Sequence, residues 1–233
     1  MGLLRRGALF SSSAALGSTV SWVIGILAAG QASITNPTIA TGSVVVSVGD
    51  LIVATFSELT ATGTLTGVTD NLGNTYTAAS AGLAQSTTWG RTYYSIVTVG
   101  GTLTAVNFAA TASTNDVSVE AVAFKGPFSG SDSIPAVRGD GTTSFTGTAT
   151  GTLSNDALTY GVLVIGAISH SSTSGTLTAN SGFTIVNPAP VTTGLRRVTH
   201  QWLNVASTAS VTPSFAGVND NTVVQTLSFK RTV

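Results

Sequence analysis

The chain has 233 residues and few side chains able to move protons. Both histidines, His170 and His200, lie after residue 127, and both glutamates, Glu58 and Glu120, lie before it. Nucleophilic catalysis needs a hydroxyl or thiol beside a base that a carboxylate orients. His170 stands in the loop-like run ISHSSTSG. His200 stands inside a strand-like run, at the position that answers Tyr93 in the alignment below. In those settings both read as surface or satisfied residues rather than bases. No Gly-x-Ser-x-Gly elbow, phosphate-binding loop or His-x-x-x-His spacing accompanies them. Glycoside hydrolysis needs two carboxylates across a cleft. Glu58 and Glu120 are compatible with such a pair, and equally with two surface positions at strand ends. No catalytic, cofactor-binding or metal-ligating residue is assigned on this reading, and no cofactor is expected.

The densest polar stretch is VTDNLGNTYTAAS, residues 68–80. A calcium loop needs about six oxygen ligands, and Asp70 is the only charged residue here, with Leu177 at its counterpart in the second half. Asn-Leu-Gly-Asn supplies residues that tolerate positive φ, and an aspartate at the turn start bonds its own backbone two residues on. The stretch reads as the tip of a hairpin. Arg138-Gly139-Asp140, inside VRGDG, reads as ordinary turn chemistry rather than an adhesion signal. Of the aromatics Trp89, Tyr93, Tyr94 and Trp202, most are expected to fill cores. Trp89, in the polar run QSTTWGR, is the candidate for an exposed ring that stacks a sugar.

The elements that must hold these residues read as strands. In DVSVEAVAF, Val117, Val119, Ala121 and Ala123 alternate with Ser118, Glu120, Val122 and Phe124, the period of two expected when one face is buried. Val, Ile, Thr, Tyr and Phe dominate such runs, and Gly, Asn, Asp and Ser punctuate them. The pattern is also written twice. VGDLIVATFSE (48–58) answers to SNDALTYGVLVIGA (154–167), matching Asp50 to Asp156. NTYTAAS (74–80) answers to SGFTIVN (181–187), and RTYYSIVTV (91–99) to VTHQWLNVA (198–206). VNFAATASTNDVSVEAVAFKG (106–126) answers to PSFAGVNDNTVVQTLSFKR (213–231), pairing Phe124 with Phe229. These matches predict an all-β chain of two tandem antiparallel β-sandwich repeats of jelly-roll or immunoglobulin-like type. An N-terminal arm (1–17) precedes repeat 1 (18–126), a Gly/Ser-rich connector (127–143) and repeat 2 (144–233).

Composition narrows the function classes. Nine basic and nine acidic residues cancel, and charged residues make up only 8% of the chain, against roughly 25% in ordinary soluble domains. Mean hydropathy is +0.40. So few charges give little protection against association, which points to an outer surface that meets other protein. Nucleic acid is not an expected partner, because phosphate binding needs Lys and Arg clusters. With no cysteine, disulfides and thiolate metal sites are excluded. The N-terminal MGLLRRGALFSSSAALGSTVSWVIGILAAGQAS has a basic start, an apolar middle and a small-residue end, like a secretory signal. Its longest apolar stretch is too short to span a bilayer, and serines interrupt it. The favoured reading is an arm with Leu3, Leu4, Leu9 and Phe10 as assembly residues, followed by a first strand over 19–29. The alternative is a signal cleaved near Ser33.

The order GDLIVATFSE, VTDNLGNTYTAAS, RTYYSIVTV, VEAVAFKG resembles a loosely characterised group of β-sandwich proteins found in phage genomes and among bacterial surface or secreted proteins. Those motifs are a Gly-Asp-Leu strand start, an Asp-x-x-Gly-Asn-x-Tyr hairpin and a closing Phe-Lys strand. The resemblance implies a fold and carries no catalytic residues. Together with the composition, it leads to the expectation of a structural virion protein of a bacteriophage, in an accessory capsid (decoration, spike or fibre-type) or tail position. Such a protein would assemble with copies of itself and other virion proteins. The alternative expectation is a secreted bacterial surface adhesin or carbohydrate-binding protein that meets a host-surface glycan.

Overall fold

A computed structural model describes residues 23–31, 38–39, 43–60, 63–79, 81–85, 87–110, 116–131, 148–150, 162–170, 178–179, 182–186, 197–205, 214–216 and 222–231. The described residues are strands and the turns between them, and every strand pairing among them is antiparallel. Residues 1–17, with Leu3, Leu4, Leu9 and Phe10, lie outside the described residues, as do Arg138-Gly139-Asp140 and Asp156. Among the described residues no helix is long and apolar enough to cross a membrane.

The first half contributes β1 (Val23–Gln31), β2 (Thr38–Ile39), β3 (Val44–Val46), β4 (Leu51–Leu59), β5 (Leu65–Asp70), β6 (Thr77–Ala78), β7 (Leu83–Gln85), β8 (Thr88–Ile96), β9 (Gly101–Leu103), β10 (Val106–Ala110) and β11 (Val117–Phe124). The rest of the chain contributes β12 (Phe128–Ser131), β13 (Thr148–Thr150), β14 (Val162–His170), β15 (Thr178–Ala179), β16 (Thr184–Ile185), β17 (Arg197–Val205), β18 (Ser214–Ala216) and β19 (Thr222–Arg231). The long members are the runs rich in Val, Ile, Thr and aromatic residues, which suit a pleated ladder.

Two large sheets run β1-β11-β4-β8-β6, with β7 also on β8, and β12-β19-β14-β17-β16. Two small sheets run β2-β10-β5 and β13-β18-β15, and β3 pairs with β9. When strands are ranked by chain position within each sheet, the two large sheets follow one order and the two small sheets follow another. The strand β12 lies inside the segment expected to be a connector, yet it pairs with β19 as β1 pairs with β11. The first strand begins at Val23 and runs to Gln31, where the sequence reading ended it at residue 29.

The period of two in β11 predicts one buried face, but both faces are buried. Every residue of β11, and every residue of β4 except Leu59, is buried. One face of the large sheet, with Ile52, Ala54, Phe56, Trp89, Tyr93, Val119 and Ala121, packs on Leu65, Val68, Val106 and Phe108 of the small sheet. The opposite face, with Leu51, Val53, Val122 and Phe124, packs on Phe128 and on Leu227 and Phe229 of the second large sheet. The second half therefore covers what would otherwise be the first half's solvent face. That is why polar residues on this face, Thr55, Thr92 and Glu120, have no water to face and must find partners within the protein.

Candidate functional site

The hairpin tip that looked like a metal loop is held by its own side chains. The Asp70 carboxylate accepts from the backbone N–H of Leu72 (2.9 Å), Gly73 (2.8 Å) and Asn74 (3.1 Å), from the Asn74 amide (3.0 Å) and from the Tyr76 hydroxyl (3.1 Å). Gly73 sits at φ +83, where a residue with a Cβ is strained. The Asn74 side-chain oxygen accepts from the backbone N–H of Thr98 and Val99, 2.9 Å each, and the Asn71 oxygen accepts from Thr104 (2.8 Å) and Ala105 (3.1 Å). The tip thus ties the β5 end to the β8–β9 and β9–β10 turns. Burial pushes the Tyr76 hydroxyl pKa well above its ordinary value, and the Asp70 charge and hydrogen bond add to the rise. Among the described residues no three His, Cys, Asp or Glu side chains gather as metal ligands would.

The other motif residues are used in the same way. Asp50, at the start of β4, accepts from the N–H of Ser47 (2.8 Å) and Gly126 (2.8 Å), and Lys125 lies 3.3 Å away. Phe128 N–H donates to the Gly49 carbonyl at 2.8 Å, so the chain leaving β11 crosses directly over the β3–β4 turn. A Cβ at Gly126 would lie 2.1 Å from that carbonyl oxygen, so only glycine allows the crossing.

The two glutamates do not face each other. Glu58 is on the face with Phe56, where its Oε2 accepts from the Thr64 N–H and hydroxyl at 3.2 and 3.1 Å, whereas Glu120 points to the opposite face. One sheet separates them, because alternate residues of a strand face opposite sides. Trp89 is corrected as well: it is 7% exposed and belongs to the first core. Its ring stands edge-on to Phe56 at 6.1 Å, and a Cβ on Gly63 or Gly82 would lie 2.0 or 2.3 Å from ring atoms. Glycines pack on the indole, so no sugar ring can stack there. Tyr93 lies in the same core with the Arg91 guanidinium 5.0 Å from its ring centre; burial raises its pKa and Arg91 opposes the rise.

One cluster has the constituents of a reaction centre, and it lies between the two large sheets. His200 Nδ1 is 2.6 Å from Glu120 Oε1, and His200 Nε2 is 2.8 Å from Thr55 Oγ1. Thr55 Oγ1 is 2.9 Å from Thr92 Oγ1, and the Thr92 hydroxyl donates to Gln225 Oε1 at 2.6 Å. An ionised carboxylate only accepts, so Nδ1–H of His200 donates to Glu120, which leaves the hydroxyls to arrange themselves around Nε2. The order carboxylate, imidazole, hydroxyl is that of an activated nucleophile. All five side chains are buried. Five strands supply them: Thr55 from β4, Thr92 from β8, Glu120 from β11, then His200 from β17 and Gln225 from β19.

The sequence alignment set His200 against Tyr93. Counted along the ladders from Phe124 and from Phe229, Thr92 and His200 stand at the same step: Phe124 pairs with Leu51 and Leu51 with Ile96, while Phe229 pairs with Leu163 and Leu163 with Asn204. A slip of one residue turns every side chain to the other face. That single step separates a core position from the cluster between the sheets. The overlooked residues, Thr55 and Thr92, carried one signal: each sits in a strand facing away from Phe56 and Tyr93, at a position where an exposed face would also accept threonine.

Comparison with protein-family models, with curated proteins and with solved structures finds no match for this chain.

Proposed function

We propose that this chain is a structural component of a bacteriophage particle, accessory to the capsid or part of the tail, and that it works by assembling with copies of itself and with other virion proteins. In this reading it consists of two tandem copies of one β-sandwich, the second beginning at β12. The shared strand orders of the paired sheets support that duplication. One observation carries the assembly reading. The motif side chains Asp50, Asp70, Asn74 and Glu120 are turned inward to hold turns and sheets, while among the described residues the large apolar side chains left exposed are valines on neighbouring turns. Val45 (64% exposed) is on β3, Val48 (68%) is in the β3–β4 turn and Val99 (47%) is in the β8–β9 turn. Gly100 packs against the backbone of Val46 and Val48, which brings these turns together. Clustered apolar side chains on a chain with so few charges are a contact surface for another protein copy.

The test is to fractionate the native source. Mass spectrometry of purified phage particles should find the chain at fixed stoichiometry to other virion proteins. Finding it only in the cell envelope or the medium, starting near Ser33, would replace this reading with the surface-protein alternative.

A further inference from the structure

Thr92 and Gln225 stand 133 positions apart in the chain and meet from opposite sheets with their side-chain oxygens 2.6 Å apart. That hydrogen bond holds the hydroxyl beside the carboxamide group whose carbon it would attack, so proximity replaces collision. Thr55 bridges Thr92 to His200, and Glu120 orients the imidazole. We propose that the chain carries out a reaction on itself: the Thr92 hydroxyl displaces ammonia from the Gln225 side chain, leaving an ester that ties β8 to β19.

The balance closes without any outside reagent. Hydroxyl rotors turn freely, so the hydrogen-bond chain can run from Thr92 through Thr55 to His200 Nε2. His200 takes a proton through Thr55 as Thr92 Oγ1 attacks Cδ of Gln225. A C–O bond forms and the C=O electron pair moves onto Oε1. The C=O then re-forms, the C–N bond breaks, and the nitrogen leaves as ammonia with the proton returned by His200. Glu120 stays ionised and stabilises the imidazolium while the proton is held there. Thr92 and Gln225 are the reacting groups, His200 is the base acting through Thr55, and Glu120 is a positioning residue.

Two features favour a reaction over an ordinary hydrogen-bonded cluster. A threonine–glutamine hydrogen bond needs no ionisable pair beside it, and burying a carboxylate and an imidazole carries a desolvation penalty that apolar residues avoid. The site is also sealed. All five side chains are buried, so water, which would hydrolyse the ester, is kept from it. The chain has no cysteine, so a disulfide cannot tie the halves together. This inference stands apart from the assembly reading, and the experiment below does not depend on where the chain is found.

The intact mass of the full chain, measured under denaturing conditions, should be lower than the sequence mass by one ammonia. Trypsin cuts after Arg91, Lys125, Arg197 and Lys230. The peptides 92–125 and 198–230 should therefore appear joined, and hydroxylamine should separate them. Thr92→Val and Gln225→Leu should have full mass, and Thr92→Ser should restore the loss. In freshly synthesised protein, Glu120→Gln should slow the loss at least tenfold at an unchanged melting profile. A wild-type chain at full mass, with the two peptides separate, overturns the proposal whether or not any variant folds. Peptide 7–91 joined to 198–230 overturns the assignment to Thr92, and an unchanged rate in Glu120→Gln overturns the role given to Glu120.

Discussion

Replacing Phe229 with alanine tests whether the two halves share one core. Phe229 is fully buried in β19, its ring stands edge-on to Tyr94 of the first half at 5.1 Å, and Phe128 lies at 6.4 Å. Phe→Ala in a core costs about 3–5 kcal/mol through lost transfer energy and the cavity left behind. Two edge-on aromatic contacts put this site in the upper part, at about 4–5 kcal/mol. Against a typical total of about 5–15 kcal/mol that is a large fraction. At about 2–4 °C per kcal/mol for a chain of this size, the midpoint should fall by about 8–20 °C. The cavity opens between the large sheets, among Leu51, Val53, Val122 and Phe124 of the first half, so both halves should melt together. The assay follows tryptophan fluorescence during unfolding in two backgrounds that keep either Trp89 or Trp202 and carry phenylalanine at the other two tryptophan positions. Both reporters should shift by the same amount with coincident transitions. If the Trp202 transition moves while the Trp89 transition stays in place, the shared core is refuted.

Asp70→Ala removes the acceptor from three backbone N–H groups, the Asn74 amide and the Tyr76 hydroxyl. It should cost about 2–4 kcal/mol in chemical denaturation, because the donors left behind are partly buried. Asp50→Ala, which leaves the Ser47 and Gly126 N–H groups without their acceptor, should cost about 2–3 kcal/mol. Lys125→Met should cost less than about 1 kcal/mol, since the lysine side chain is half exposed. Burial and the Asp70 charge raise the Tyr76 hydroxyl pKa in the folded chain above its ordinary value of 10.0, so the unfolded chain releases that proton first and stability falls as pH rises above 10.0. Urea midpoints measured across alkaline pH should show the decline, and Tyr76→Phe should flatten it; an equal slope in the variant would exclude Tyr76 as its source.

Much of the fold could be read from local chemistry. The β-branched runs at 51–59, 88–96, 117–124 and 222–231 are strands, and Asp-x-x-Gly-Asn is a tip because an aspartate followed by a glycine at positive φ satisfies its own turn. What local patterns do not carry is which sheet covers which. The alternation in β11 is the same whether Ser118 and Glu120 face water or a second sheet. Trp89 sits among polar neighbours in sequence, yet Gly63 and Gly82 make room for its ring in the core. The strand Phe128–Ser131 lay hidden in a Gly/Ser-rich stretch because its pairing with β19 comes from the tertiary fold rather than from propensity. The cluster around His200 depends on strand register and on which sheet faces which, and local patterns carry neither.

The central claim, that this is a structural chain working through contacts with copies of itself, is tested most directly by sedimentation velocity of the purified full-length protein at high concentration in low salt. The account predicts a homo-oligomer, with each contact burying more than about 1,000 Å², that dissociates in a variant carrying serine at positions 45, 48 and 99. A monodisperse monomer across the concentration range would contradict it.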